Sequence, residues 1–221
     1  LNHFMLEPSC RDIWRIAMTC QLEAPWVSEA GDRFLPKIYH DADIYEQEMD
    51  KIFGRSWQFV GHVSQIPHPG DFFLSRIGEE KVIVMRGTQD NVQVVLNMCR
   101  HKGHLVCRAE RGNTKLFVCP YHAWSYGIDG ELVQAPMTSE LAPQMNKADF
   151  GLVPVPRVET YHGLIFANFD ADAPPLETSM GDLRFYLDTF VGRRGVDLEI
   201  IGGIQKWEVD CNWKIGPEGM G

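Results

Sequence analysis

Apolar positions between residues 41 and 53 gather on one side of a helix. Ile44, Tyr45, Met49, Ile52 and Phe53 recur at helical spacing. Asp41 stands where a cap belongs, and Gly54 stands where a helix stops. The pattern then changes. Residues 66–73 (IPHPGDFF) hold two prolines and a glycine, the signature of a loop entering a strand. Residues 81–86 (KVIVMR) and 92–96 (VQVVL) are rich in β-formers and meet across residues 87–91, which predicts a hairpin. Further strands are predicted at 115–118, 131–134, 153–157 and 164–169. Gly127 to Gly130 forms one turn, and His162-Gly163 is the turn before the last of these strands. After Ala173-Pro174-Pro175, a linker signal, Met180, Leu183, Leu187, Phe190 and Val191 return to helical spacing. Residues 200–209 read as the start of a new strand region. Short strands with frequent turns predict a mainly β fold, a small antiparallel β barrel or sandwich.

Composition narrows the function classes. With 221 residues and 44% hydrophobic content, the chain has room for one large domain or two small ones with an ordinary core. The formal net charge is −9 and no basic run stands out, so nucleic acid is not an expected partner. No apolar stretch approaches the roughly 20 residues of a membrane span. Residues 1–20 lack the basic-then-apolar order of a signal peptide, and a cytoplasmic location is expected. The leading Leu1 hints at residues before it. Cys10, Cys20, Cys107 and Cys211 are expected to stay thiols in a reducing compartment. Cys107 and Cys211 lie in apolar contexts and are expected to be buried.

The candidate chemistry lies in two pairs, Cys99-x-His101 and Cys119-x-x-His122. Two thiolates and two imidazoles can hold a metal centre. In a Rieske [2Fe–2S] centre, two Cys bind one iron and two His bind the other. Each short segment can then give its Cys to the first iron and its His to the second. A structural zinc ion on the same four residues is the alternative, although finger-type zinc sites set Cys beside Cys and His beside His. Around the pairs, Gly103 permits a tight turn and Pro120 stiffens the second loop. Loop amides can donate hydrogen bonds to sulfur. Trp124 and Tyr126 either shield a cluster or pack in the core. Arg100 and Lys102 flank a ligand and can steer an acidic electron donor. His104 lies three residues after His101 and is a rival ligand by type alone. His40, His62, His68 and His162 sit beside turns or prolines and are expected to be solvated.

Residues 99–137 (CRHKGHLVCRAERGNTKLFVCPYHAWSYGIDGELVQAPM) resemble the α subunits of bacterial Rieske non-haem iron, aromatic-ring-hydroxylating dioxygenases. The family pattern is CRHRG, then GN, then F-x-C-x-YHGW-x-Y, then G-x-L. Lys102 replaces its usual Arg, and Ala123 its usual Gly. Residues 53–73, 159–170 and 204–214 also fit, so the resemblance runs from about residue 35 to residue 218. It implies Cys99, His101, Cys119 and His122 as ligands of a [2Fe–2S] cluster, with Gly103, Trp124 and Tyr126 around it, and places His104 at a variable position. Tyr121 stands where membrane-bound Rieske proteins carry an extra disulfide cysteine, which points to the oxygenase branch.

The resemblance also implies an organisation. Residues 56–170 would form the Rieske domain. Residues 1–55, with their helix, and 171–221 would be α+β parts of an incomplete catalytic domain. The complete subunit would hold a mononuclear Fe(II) on residues beyond Gly221, so no catalytic residue is assigned here, and this chain alone is expected to be inactive. Electrons would come from NADH or NADPH through a reductase or ferredoxin. The complete enzyme would be a trimer of α subunits, with or without β subunits, that converts an aromatic substrate and O₂ to a cis-dihydrodiol. A Rieske monooxygenase or demethylase is the alternative activity. A free-standing Rieske ferredoxin is the alternative of another class, and the helix at 41–53 and the region after residue 175 speak against it.

Overall fold

The computed structural model describes residues 26–193, 198–202 and 205–219. They divide into two compact units. One holds the described residues up to Tyr45 and those from Asp210. The other is Glu46–Val209 and contains every strand found among the described residues.

The strands form three antiparallel sheets. In chain order they are β1 (Gln58–His62), β2 (Asp71–Ile77), β3 (Glu80–Arg86), β4 (Val92–Leu96), β5 (Arg111–Asn113), β6 (Leu116–Val118), β7 (Ser125–Gly127), β8 (Leu132–Gln134), β9 (Arg157–Tyr161) and β10 (Leu164–Asn168). The sheet orders are β1-β10-β9, β4-β3-β2-β5 and β6-β7-β8. None closes into a barrel, so the sandwich is the form observed.

Side-chain alternation along β3 explains the layering. Ile83 and Met85 belong to a core shared with Phe117, Tyr126, Leu132 and both Cys99 and Cys119. Val82 and Val84 belong to a second core with Val60, Ile165 and Ala167. The four-stranded sheet is therefore covered on both faces, which is why residues 82–85 are apolar at every position. The β6-β7-β8 sheet lies over one face and carries the candidate site. The β1-β10-β9 sheet lies over the other.

Most predicted elements are present. Strands β3 and β4 pair from Val82↔Leu96 to Arg86↔Val92. The 41–53 helix runs as Ala42–Glu48 followed by a π-helical turn at Met49–Phe53. Asp41 Oδ1 caps it by accepting from the amides of Asp43 and Ile44 at 3.1 and 3.2 Å. His162 and Gly163 take φ values of 48° and 79°, the left-handed pair that a two-residue hairpin between β9 and β10 requires.

Four expectations are corrected. Residues 153–157 form one bridge, Val95↔Pro154, and not a strand. Val153 accepts from Leu96 and Val155 donates to Val94, but Pro154 and Pro156 have no N–H with which to extend a ladder. The strand begins at Arg157. Among the described residues of 200–209 there is no strand, because no neighbouring strand pairs with them; Ile201 and Trp207 are exposed. The helical stretch near 180 is two helices, Leu176–Met180 and Leu183–Phe190, broken at Gly181 with φ 50°. Cys211 is exposed, whereas Cys107 is buried as expected. Cys10 and Cys20 lie outside the described residues. Among the described residues no helix is long and apolar enough to cross a membrane.

Candidate metal centre

Two loops bring the four candidate ligands together. The second loop joins β6 to β7, an antiparallel pair with Val118↔Ser125 in register, so it is a hairpin tip. The first is not. It leaves β4 at one edge of its sheet and enters β5 at the other. Asn97, buried at the root of this loop, closes it in place of a ladder. Its Nδ2 donates to Cys107 O at 2.7 Å, and its Oδ1 accepts from the amides of Val106 and Cys107 at 3.0 and 2.8 Å.

Within the loops the backbone repeats itself. The Cys99 amide donates to His104 O at 2.8 Å, and Cys99 O accepts from Gly103 at 2.9 Å. The Cys119 amide donates to Trp124 O at 2.8 Å, and Cys119 O accepts from Ala123 at 2.9 Å. The fifth residue of each turn is left-handed, Gly103 with φ 71° and Ala123 with φ 57°. Glycine adopts this conformation freely. Alanine pays roughly 1–2 kcal/mol for it. The usual Gly at position 123 thus has a conformational reason.

These turns sort the ligand types. Cys99 and Cys119 are both buried in one core, 2% exposed each, and Cys99 lies near enough to raise the Cys119 thiol. His101 and His122 are exposed, and their rings meet edge to face with centroids 4.6 Å apart. The thiols therefore lie inside, and imidazole faces imidazole outside. Burial pushes the Cys119 thiol up, and the Cys99 thiol adds to this. The nearby amides of Tyr121 and His122 act in the opposite sense. The His101 ring is held below its ordinary value by partial covering, then by His122 and Lys102, which favours the neutral form that a metal binds.

The flanking rings do more than fill space. Trp124 is buried and lies flat on His101, with centroids 4.9 Å apart and planes within 9°, and meets Phe150 edge-on at 6.0 Å. Tyr126 is fully buried. Its hydroxyl accepts from the Arg100 amide at 3.0 Å and lies 3.2 Å from Cys99 Sγ. Burial, and then the bond to Cys99, raise its pKa, so it stays a phenol. Against a Cys99 thiolate only the phenol can donate. His104 does not join the thiols or the imidazole pair. Its ring lies 5.6 Å from that of Tyr121. Two residues were missed by sequence reasoning: Asn97 and Phe150. An asparagine at the end of a strand two residues before a ligand Cys was the available signal for the first; nothing flagged the second. His62, expected to be solvated, is buried instead. Its Nδ1 accepts from the Ser64 amide at 3.1 Å, and its ring occupies the space that a side chain at Gly163 would fill.

The donor set fits a two-iron centre. Among the described residues no three His, Cys, Asp or Glu side chains converge on one point. Like donors stand in two pairs, an arrangement that a centre with two cysteines on one iron and two histidines on the other could take.

Comparison with known proteins defines the class. Residues 56–159 match the family model described as the Rieske [2Fe-2S] domain. The chain is 48% identical over 195 residues to the biphenyl 2,3-dioxygenase α subunit of Rhodococcus jostii (strain RHA1), covering 88% of this chain and 42% of that protein. It is 43% identical over 219 residues to the chlorobenzene dioxygenase α subunit of Cupriavidus sp. (strain PS12), covering 99% of this chain and 48% of that one. Among solved structures, naphthalene 1,2-dioxygenase from Rhodococcus sp. bound to indole superposes with a TM-score of 0.76 at 42% identity, over 81% of this chain and 41% of that one. The quaternary ammonium Rieske monooxygenase CntA, in complex with L-carnitine, gives 0.64 at 29% identity, over 71% and 44%. Residues 56–159 are thus a Rieske domain. The chain belongs to the α subunits of Rieske aromatic-ring-hydroxylating dioxygenases, and it spans about half the length of the curated relatives it matches.

Proposed function

We propose that this chain is the electron-transfer portion of a terminal oxygenase, with Cys99, His101, Cys119 and His122 as the ligands of its [2Fe–2S] cluster. The observation that carries the reading is the sorted donor set: two thiols buried in one core, and two exposed imidazoles in contact, on loops that share one backbone pattern. Such a cluster supplies one-electron chemistry at a potential above that of an all-Cys centre. The residues here fix that property. Neutral imidazoles in place of thiolates favour the reduced state. So do the Tyr126 hydroxyl at Cys99 and the two loop amides at Cys119. The exposed edges of His101 and His122 give electrons a short way in and out, while Trp124 excludes water from one imidazole face.

Residues 56–170 are the domain that performs this step, and residues 1–55 and 171–221 are parts of a second, catalytic domain. In the complete protein the electrons reach a mononuclear iron, and the product is a cis-dihydrodiol of an aromatic ring. A ferredoxin or reductase, fed by NADH or NADPH, is the donor, and an α-subunit trimer, with or without β subunits, is the assembly. The higher identity to dioxygenases than to the carnitine monooxygenase supports ring dihydroxylation over the monooxygenase reading. The test is anaerobic loading with iron and sulfide, followed by reduction and EPR. A signal of low average g that disappears in Cys119→Ser supports the assignment. A colourless chain with one zinc per molecule overturns it.

A further inference from the structure

His104 is left over from the ligand set, yet three contacts fix it. Its carbonyl accepts from the Cys99 amide at 2.8 Å. Its Nε2 lies 2.9 Å from Arg108 Nη2. A guanidinium has donors and no acceptor, so Nε2 accepts this bond and the imidazole proton sits on Nδ1. Its ring, held in this way, stands against Tyr121 of the other loop at 5.6 Å and a 51° tilt. Tyr121 in turn lies 4.0 Å from the His122 ring at a 36° tilt. Tyr121 is 61% exposed, so its ring depends on its neighbours for a fixed position. No comparable ring contact is needed at His101, whose face is already covered by buried Trp124.

We propose that His104, anchored by Arg108, is a positioning residue for His122. It holds Tyr121 from the first loop, and Tyr121 holds the His122 ring on the second. The two imidazoles of the site are thus fixed by different means, His101 by a buried ring and His122 by a clasp between loops. The inference rests on the reading of His122 as a ligand. It assigns no metal bond to His104.

The experiment compares the cluster-loaded parent chain with His104→Ala, Tyr121→Ala, the double variant and His104→Phe. Iron content, reduced-state EPR linewidth and midpoint potential are measured in each. Iron content is expected to be retained throughout. His104→Ala broadens the signal as the His122 ring gains freedom, and moves the potential upward as water reaches the reduced, more negative state. Tyr121→Ala does the same. The double variant adds nothing to Tyr121→Ala, because both residues act through one contact. His104→Phe keeps a ring on Tyr121 and restores part of the linewidth. Parental linewidth and potential in His104→Ala overturn the proposal, as do strictly additive effects in the double variant or loss of iron from His104→Ala. A parent chain without the Rieske signal overturns the ligand assignment and this inference with it. A parent signal with unmoved variants overturns this inference alone.

Discussion

The first ligand loop crosses from one edge of a four-stranded sheet to the other, whereas the second closes a hairpin between β6 and β7. Their inner turns nevertheless carry the same two hydrogen bonds and the same left-handed fifth residue. The local turn is therefore set by what a buried thiol and an outward imidazole require, and the surrounding scaffold is free to differ. A ladder holds the second loop at its root. The first has no ladder and substitutes two side chains: Asn97 at its base and Tyr126 reaching across from β7. Polar substitutes of this kind are sensitive points, since a buried group left without its partner costs more than the bond itself contributed.

The largest expected effect follows from Asn97. Asn97→Ala leaves two amides and one carbonyl of the first loop without partners, which should cost about 3 kcal/mol. Chemical denaturation of the cluster-free chain would show it, and iron retention should fall. An unchanged midpoint of unfolding would mean that the first loop does not depend on this side chain. Next in size is Tyr126→Phe. It removes one bond to Cys99 Sγ and leaves the Arg100 amide bare, at a cost of about 1.5 kcal/mol. The midpoint potential should also fall, because a donor to sulfur favours the reduced state. A potential that rises or stays put would contradict the role given to the hydroxyl. The smallest pair exchanges the fifth residues. Gly103→Ala should destabilise by about 1 kcal/mol, and Ala123→Gly should stabilise by about 0.5 kcal/mol, since relief of the left-handed strain exceeds the added chain entropy. Opposite signs would support a shared turn. Destabilisation by Ala123→Gly would show that its methyl group packs usefully.

Much of this was legible in the chain, for local reasons. Strands β3 and β4, the His162-Gly163 turn and the capped helix at 42–53 each depend on residues a few positions apart. The meeting of Cys99 with Cys119, and of His101 with His122, was foreshadowed by the alternating ligand order. The scaffold of the first loop was not. Strand β5 lies opposite β4 because β2 pairs with it, and nothing near residue 97 signals that pairing. Residues 153–157 misled because alternating Val and Pro imitate a strand while removing its donors. His62 looked solvated beside its turn, but Gly163, about a hundred residues later, makes room for its ring. Residues 200–209 carry β-forming side chains and find no strand to pair with among the described residues. Propensity suggests a strand, but only a partner makes one.

The most direct measurement is Mössbauer spectroscopy of the chain loaded with ⁵⁷Fe and sulfide, then reduced by one electron. The sorted donors predict two inequivalent iron sites in equal amount. The ferric one should carry sulfur ligands only. The ferrous one should carry two nitrogens, which ¹⁵N-histidine labelling would confirm through two nitrogen couplings in pulsed EPR. Two sites with all-sulfur parameters, or a chain that takes up zinc and no iron, would contradict the assignment of Cys99, His101, Cys119 and His122.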